Sequence, residues 1–323
     1  SQKLFLLAFA GMMLFGMHFL QSHLGGDSLD LPFNAMVWIF GSALIAIGLW
    51  TIGAQQKLYY NKPLLIIGIA VIGLWIPLLF PNQMFGEFAL ARLNGVLAGV
   101  ALMFAVMQMR FDDRQWQLIL WLIVIGVLIV SLFSLMIFYQ VIIDWFLKVQ
   151  LKGNVASGIF AQRNVTSTFL LFGLSSAAWL LACKKDFRKW QITLLLAAMF
   201  FSMWSLSLNV SRVGHIGLLA VLLFTAPYLV KNAKIKNLRA FYIVLIAGIL
   251  MPPFFHATGG FPTQTRETVP SSSVRISMWK ISSLMIIEKP LLGWGYGQAD
   301  AAFADAQGKL ISSGLYDLVR KNN

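Results

Sequence analysis

Apolar residues fill most of this chain, and polar residues break it at regular intervals. Nine apolar runs result, at roughly 3–20, 34–53, 63–80, 87–108, 116–138, 165–182, 190–208, 213–230 and 238–255. The seventh and eighth, Trp190–Leu208 and Val213–Val230, carry no Asp, Glu, Lys or Arg at all. Apolar runs of about 18 or more residues are long enough to cross a bilayer as helices. The pattern predicts an all-α, polytopic membrane protein with about nine transmembrane helices. Residues 1–255 form the membrane domain with short loops, and 256–323 form a loop and helix segment outside the bilayer.

Composition agrees with that pattern. Of the 323 residues 59% are hydrophobic, the mean hydropathy is +0.76, and 11% are charged, against about 25% in a soluble domain. The net charge of +13 does not imply a nucleic-acid partner, because at least ten of the 25 Lys and Arg sit in four alternate short loops. Lys57, Lys62, Arg110, Arg114, Lys184, Lys185, Arg188, Lys231, Lys234 and Lys236 fall at 54–62, 109–115, 183–189 and 231–237. The loops at 21–33 and 81–86 hold no Lys or Arg. The positive-inside rule then puts the N-terminus and the basic loops in the cytoplasm, and the tail after about residue 256 on the outer face. Ser1-Gln2-Lys3 before an apolar run imitates a signal peptide, but no A-x-A site follows, so a retained first span is expected. The single Cys183 forms no internal disulfide.

Two outer segments are long. Residues 139–164 begin with an aromatic and apolar face interspersed with Asp144, Lys148 and Lys152, as in an interfacial amphipathic helix. The tail holds a stretch with Ile276, Trp279, Ile281, Leu284, Met285 and Ile287 at near-helical spacing, ended by Pro290. "LLGWGYGQ" follows as a glycine-rich turn, and 299–323 reads as outer loop.

The outer face also collects cations that positive-inside bias does not explain. Arg163 precedes the sixth span, Arg212 stands in a short turn between the seventh and eighth, and Arg275 opens the tail stretch ahead of Lys280. A charge near membrane depth needs a partner or a polar cavity, and Arg suits bidentate phosphate contacts. Convergence of these arginines on an anionic ligand is one reading, and snorkelling to headgroups is the other. Snorkelling is weakest at Arg212, whose turn is too short to carry the side chain away. His215 shares a helix face with Arg212, either as a proton carrier or as a structural group. His23, beside Gly25-Gly26, is a candidate cavity residue; His18 brackets the same loop, and His256 reads as a loop residue.

Other chemistries lack their signatures. There is no P-loop, H-E-x-x-H or G-x-S-x-G. Asp112-Asp113 reads as solvated, and Asp27 with Asp30 lacks further metal ligands. Asn164-Val165-Thr166 and Asn209-Val210-Ser211 match glycosylation sequons at membrane junctions and read as chance.

Three stretches, "FAQRNVTSTFLLFGL" (160–174), "SLNVSRVGHIGLLAV" (207–221) and "RISMWKISSLMIIEKPLLGWGYGQ" (275–298), resemble the O-antigen ligase (Wzy_C) superfamily. The first outer loop, "HLGGDSLDLPFNAMVW", is similar to that of PglL-type pilin glycosyltransferases. The resemblance covers about 15–40 and 155–300. It implies a periplasm-facing transferase whose donor is a glycan on undecaprenyl pyrophosphate. The acceptor is a Ser or Thr hydroxyl of a pilin-like protein, or a sugar hydroxyl on lipid A-core. The resemblance gives Arg212 and Arg275 the pyrophosphate and the leaving-group charge, leaves Arg163, His23, His215 and Lys280 as donor or cavity contacts, and implies no metal or other cofactor. A polysaccharide polymerase is a related alternative. A transporter of an anionic lipid is a distant one, since no internal repeat is visible.

The chain departs from the family at its end. Members carry an outer-loop histidine motif some tens of residues after the G-W-G-x-G turn, expected to activate or position the acceptor. No histidine follows His256. The expectation is a fragment or a natural truncation, and a 323-residue chain that is inactive on its own. Robust glycan transfer by the purified chain refutes that.

Overall fold

The computed structural model describes residues 1–19, 32–79, 86–139, 158–160, 162–183, 187–209, 211–232, 235–257, 271–290, 293–296 and 298–312. All regular structure among them is helical: α1 (Gln2–Leu14), α2 (Pro32–Gln55), α3 (Lys62–Gly73), α4 (Gly86–Met109), α5 (Asp113–Phe138), α6 (Arg163–Cys183), α7 (Lys189–Asn209), α8 (Arg212–Asn232), α9 (Ile235–Ala257), α10 (Ser271–Glu288) and α11 (Ala299–Ser312). Helices are what lipid permits, because they satisfy their backbone hydrogen bonds internally. Eight helices among the described residues are long and apolar enough to cross a membrane, from Asn34–Gln55 to Asn237–Phe254. The protein is an all-α polytopic membrane protein.

Two expectations change, and a third falls mostly outside the described residues. The first span is shorter than its apolar run suggests: α1 stops at Leu14, Phe15 leaves helical geometry (φ −127°, ψ −55°), and a 3₁₀ turn covers Gly16–His18. His18 stabilises the break, its Nε2 donating to the Met13 carbonyl at 3.0 Å. Secondly, 299–312 is helix α11, not loop. Its alanines favour helix, with Asp300 in the first turn and Lys309 in the last, each of the sign the helix dipole prefers. Thirdly, of the expected amphipathic segment 139–164, residues 140–157 lie outside the described residues. Tyr139 caps α5, Gly158–Phe160 forms a 3₁₀ turn, and Arg163 and Asn164 already belong to α6.

The helices fall into two compact units. The first holds 1–54 and 109–264, the second 55–108 and 265–323. In the first unit α5, α6 and α7 pack against one another, α9 lies on α7 and α8 on α6. Small residues set the closest approaches. A Cβ at Gly248 of α9 would stand 2.6 Å from Met203 Cβ and 2.8 Å from the Phe200 carbonyl of α7. That is the small-residue packing expected between helices in lipid.

Asp112 is solvated, as its sequence position suggests, yet it has a structural task. Its Oδ1 accepts the Gln115 backbone N–H at 2.8 Å while Gln115 Oε1 accepts the Asp112 N–H at 3.0 Å. This reciprocal capping box starts α5. Gln115 Nε2 also donates to Gln2 Oε1 at 3.1 Å, which ties the start of α1 to it. Asp112→Ala is expected to cost about 1 kcal/mol, read as a lower thermal midpoint in detergent, with Asp113→Ala as the milder control.

Candidate site at the paired starts of α6 and α8

A ladder of buried polar side chains runs through the first unit. Ser202, Ser205 and Asn209 recur at i, i+3 and i+7 along α7, so they share one face. Ser202 Oγ pairs with Ser131 Oγ of α5 at 3.1 Å, and Ser205 Oγ donates to Ser134 Oγ at 2.8 Å. All four serines are buried. Hydrogen bonds between membrane helices are worth about 0.6 to 2 kcal/mol each, so the ladder fixes the register of α5 against α7.

At the end of α7 the ladder passes to α6 and α8. Asn209, fully buried, donates through Nδ2 to the Arg163 carbonyl at 2.9 Å and to Ser167 Oγ at 3.0 Å. Ser211 Oγ donates to Asn164 Oδ1 at 2.8 Å and accepts the Gly214 N–H at 3.2 Å. Ser211 therefore caps α8 and clamps it to α6 with the same hydroxyl. Below the clamp the two helices run side by side in one direction. A Cβ at Gly214 would meet Ser167 at 2.8 Å, and one at Gly217 would meet Leu171. Only glycine lets α8 come this close.

The clamp places two helix N-termini together, and each opens on an arginine. Arg163 is the first residue of α6 and Arg212 the first of α8. Arg163 is half-buried and Arg212 exposed, and neither side chain has a hydrogen-bond or ion-pair partner among the described residues. Each helix start also carries about half a positive charge. Two guanidinium groups and two helix starts of the same sign repel one another, and an anion relieves that repulsion. Chemically, such an arrangement can accept a group with several anionic oxygens.

Asn209 adds a further polar atom. Its Oδ1 is buried with no hydrogen-bond partner among the described residues. The amide orientation follows from its partner: the Arg163 carbonyl only accepts, so the NH₂ must face it. A buried acceptor left open is uncommon and fits a place where a bound group brings its own O–H or N–H.

His215 stands one turn after Arg212 on the exposed side of α8. Its Nδ1 lies 2.7 Å from the Ser211 carbonyl, so Nδ1 is the donor of that bond and Nε2 is the nitrogen turned away from it.

The structure thus brings together two of the expected arginines, Arg163 and Arg212, with His215 beside them. Arg275 and Lys280 lie in α10 of the second unit, where Lys280 is exposed and the Arg275 side chain is outside the described residues. His23 is also outside them. Asn164, Ser167, Asn209 and Ser211 went unrecognised in the sequence. The one signal for Asn164, Asn209 and Ser211 was the pair of N-V-[ST] tripeptides, each adjoining an arginine, in "RNVT" and "NVSR".

Residues 197–317 match the family model of the O-antigen ligases, and residues 156–181 match that of a protein glycosylation ligase. The two stretches meet at the clamp, since Asn209, Ser211 and Arg212 lie in one and Arg163, Asn164 and Ser167 in the other. No characterised protein and no solved structure matches the chain. The two matches support a ligase function of the O-antigen or protein-glycosylation kind.

Proposed function

We propose that the protein is a membrane glycosyltransferase which moves a glycan from undecaprenyl pyrophosphate to a Ser or Thr hydroxyl of a pilin-like protein. The reaction takes place on the periplasmic side of the bacterial inner membrane, with the chain's N-terminus in the cytoplasm. The observation that carries this reading is the pair of clamped helix starts, each with an arginine whose side chain has no partner among the described residues. A lipid pyrophosphate supplies the anionic oxygens that such a site calls for, and its prenyl chain suits a site set among apolar helices.

In the transfer, the acceptor oxygen forms a bond to the anomeric carbon of the donor sugar. The bond from that carbon to the phosphate oxygen breaks, and the electron pair leaves with the undecaprenyl pyrophosphate. Arg212 and Arg163 stabilise the charge that grows on this leaving group, an effect largest in the transition state. The acceptor's proton passes to a base, and His215 Nε2 is the open nitrogen nearest in sequence to Arg212. Arg275, to which the family resemblance gives a role at the pyrophosphate, is tested by Arg275→Ala, which is expected to abolish transfer while expression stays intact. Lys280 and His23 remain candidates for further donor contacts.

A second reading has its own support. The O-antigen ligase match is the longer of the two, which favours lipid A-core as acceptor. The experiment supplies one lipid-pyrophosphate glycan to membranes containing the protein, together with a pilin-like protein or with lipid A-core. Glycan on the pilin-like protein supports this reading and refutes the inactivity expected of the 323 residues on their own. Glycan on lipid A-core alone moves the protein to the ligase branch. Movement of the intact donor across the membrane with no covalent product replaces both readings with a transporter.

A further inference from the structure

The second unit carries an apolar surface that the proposed transfer leaves unexplained. Helix α10 is apolar on two opposite sides. On one side Ile281, only 4% exposed, packs with Ala306 and Leu310 of α11, flanked by Met285 and Phe303. On the other side Ile276, Trp279, Ile286 and Ile287 recur at i, i+3, i+10 and i+11, with Ser283 between them at i+7. That spacing makes one stripe along the helix. Trp279 is 69% and Ile287 74% exposed.

We infer that this stripe is a bilayer contact: α10 lies on the membrane surface with Trp279, Ile286 and Ile287 among the lipids, and α11 covers its water-facing side. Polarity orders the layers. The outer face of α11 is exposed at Asp300, Ala304 and Asp305, and Lys309 bridges Asp305 at 2.8 Å and Glu288 at 3.1 Å. The Asp305 hydrogen bond, with that of Glu288 behind it, raises the Lys309 ammonium above its usual range, so it is charged throughout the physiological range. A charged layer therefore lies on one side of α10 and a bare apolar stripe on the other. Lys280 flanks the stripe as an exposed cation, matching the anionic headgroups that interfacial helices favour.

Depth comes from the turn after α10. Gly293 (φ 66°) and Gly295 (φ 87°) take left-handed backbone that other residues adopt poorly. Trp294 Nε1 donates back to the Met285 carbonyl at 3.1 Å, beneath the Lys289 ammonium 4.0 Å from its ring. Tyr296 then donates its hydroxyl to the Leu74 carbonyl at 2.7 Å, just past the end of α3. The 12 residues of α3 span only about 18 Å, less than the roughly 30 Å of hydrocarbon. With Lys62 at one interface, Leu74 has not left the bilayer, so Tyr296 reaches membrane depth. The turn anchored there begins only a few residues after α10, which holds that helix at the surface. Trp and Tyr are enriched at the membrane interface from which this turn enters.

The test is independent of glycan transfer, so its failure leaves the proposed activity standing, and the reverse holds too. The full chain, with Cys183→Ala, receives single nitroxide labels through Trp279→Cys, Ile287→Cys, Asp300→Cys or Ala304→Cys. Each is placed in nanodiscs of phosphatidylcholine and phosphatidylglycerol. Molecular oxygen concentrates in lipid, whereas a neutral nickel chelate stays in water. Labels at 279 and 287 are expected to meet oxygen several-fold more than the chelate, with the reverse at 300 and 304. Equal chelate access at 287 and 304 overturns the inference by putting the stripe in water. Low access to both reagents at 279 and 287 overturns it by putting the stripe against protein.

Discussion

Arg212→Ala is expected to weaken binding of undecaprenyl pyrophosphate roughly ten- to hundredfold, the equivalent of about 1.5–3 kcal/mol for a hydrogen-bonded charged group. The side chain is exposed and has no partner among the described residues, so its removal leaves no orphaned group and stability changes little. Arg212→Lys restores only part of the affinity, because an ammonium keeps the charge and loses the two-pronged geometry. Arg239 is the control. It is an exposed arginine near the start of α9, at the opposite end of the first unit from Arg212. Arg239→Ala changes the net charge equally and leaves binding unchanged. Binding to the protein in nanodiscs, titrated with the lipid pyrophosphate, reads all three. Equal losses at 212 and 239 reduce Arg212 to a contributor of general positive potential. In a transfer assay the loss at Arg212 is expected to be larger, about 10²- to 10³-fold, because the charge it meets grows toward the transition state.

The hydrophobic pattern made the helices legible because span length is set by the bilayer. Runs such as 190–208 and 238–255 contain enough apolar residues to state their own fate, and α7 and α9 follow them closely. Helix α1 was less legible. Its apolar run continues past Leu14, and the break at Phe15 depends on a long-range fit. Gly16 packs against Phe40 of α2, which no local pattern encodes. Helix α11 was missed for the opposite reason: alanine and aspartate give a weak apolar signal, and its burial comes from α10.

The candidate site divided in the same way. A lone arginine in a short turn between apolar runs is conspicuous in one dimension, so Arg212 stood out. Its neighbours did not. Asn209 and Arg163 are 46 residues apart, and Ser211 and Asn164 are 47 apart. Such pairings are set by the packing of α8 on α6. The serines at 202 and 205 vanish inside an apolar run until helical spacing aligns them with Asn209. Nothing in a single sequence marked the sequon-like tripeptides as a clamp.

Asn209 therefore yields the most discriminating substitutions. Asn209→Leu removes the bonds to the Arg163 carbonyl and to Ser167. The carbonyl is also within reach of its own helix, so the stability cost is about 1 kcal/mol. The functional cost is expected to be greater, because the two arginines hold one ligand only while their helix starts stay aligned. A displacement of about 1 Å is enough to cost a hundredfold in rate. Asn209→Asp separates alignment from charge. The carboxylate has the same size, but it faces the Arg163 carbonyl without a donor and brings a negative charge to an anion site. At about 6 Å and an effective dielectric of about 20, that charge opposes a bound anion by about 3 kcal/mol, or roughly a hundredfold in affinity. The expected order of affinity for the lipid pyrophosphate is wild type, then Leu, then Asp, with thermal midpoints for the two variants close together. If the aspartate variant binds as tightly as wild type, no anion sits at the paired starts of α6 and α8. A large, equal loss of thermal midpoint in both variants instead makes Asn209 a packing residue, with the arginines left to act one at a time.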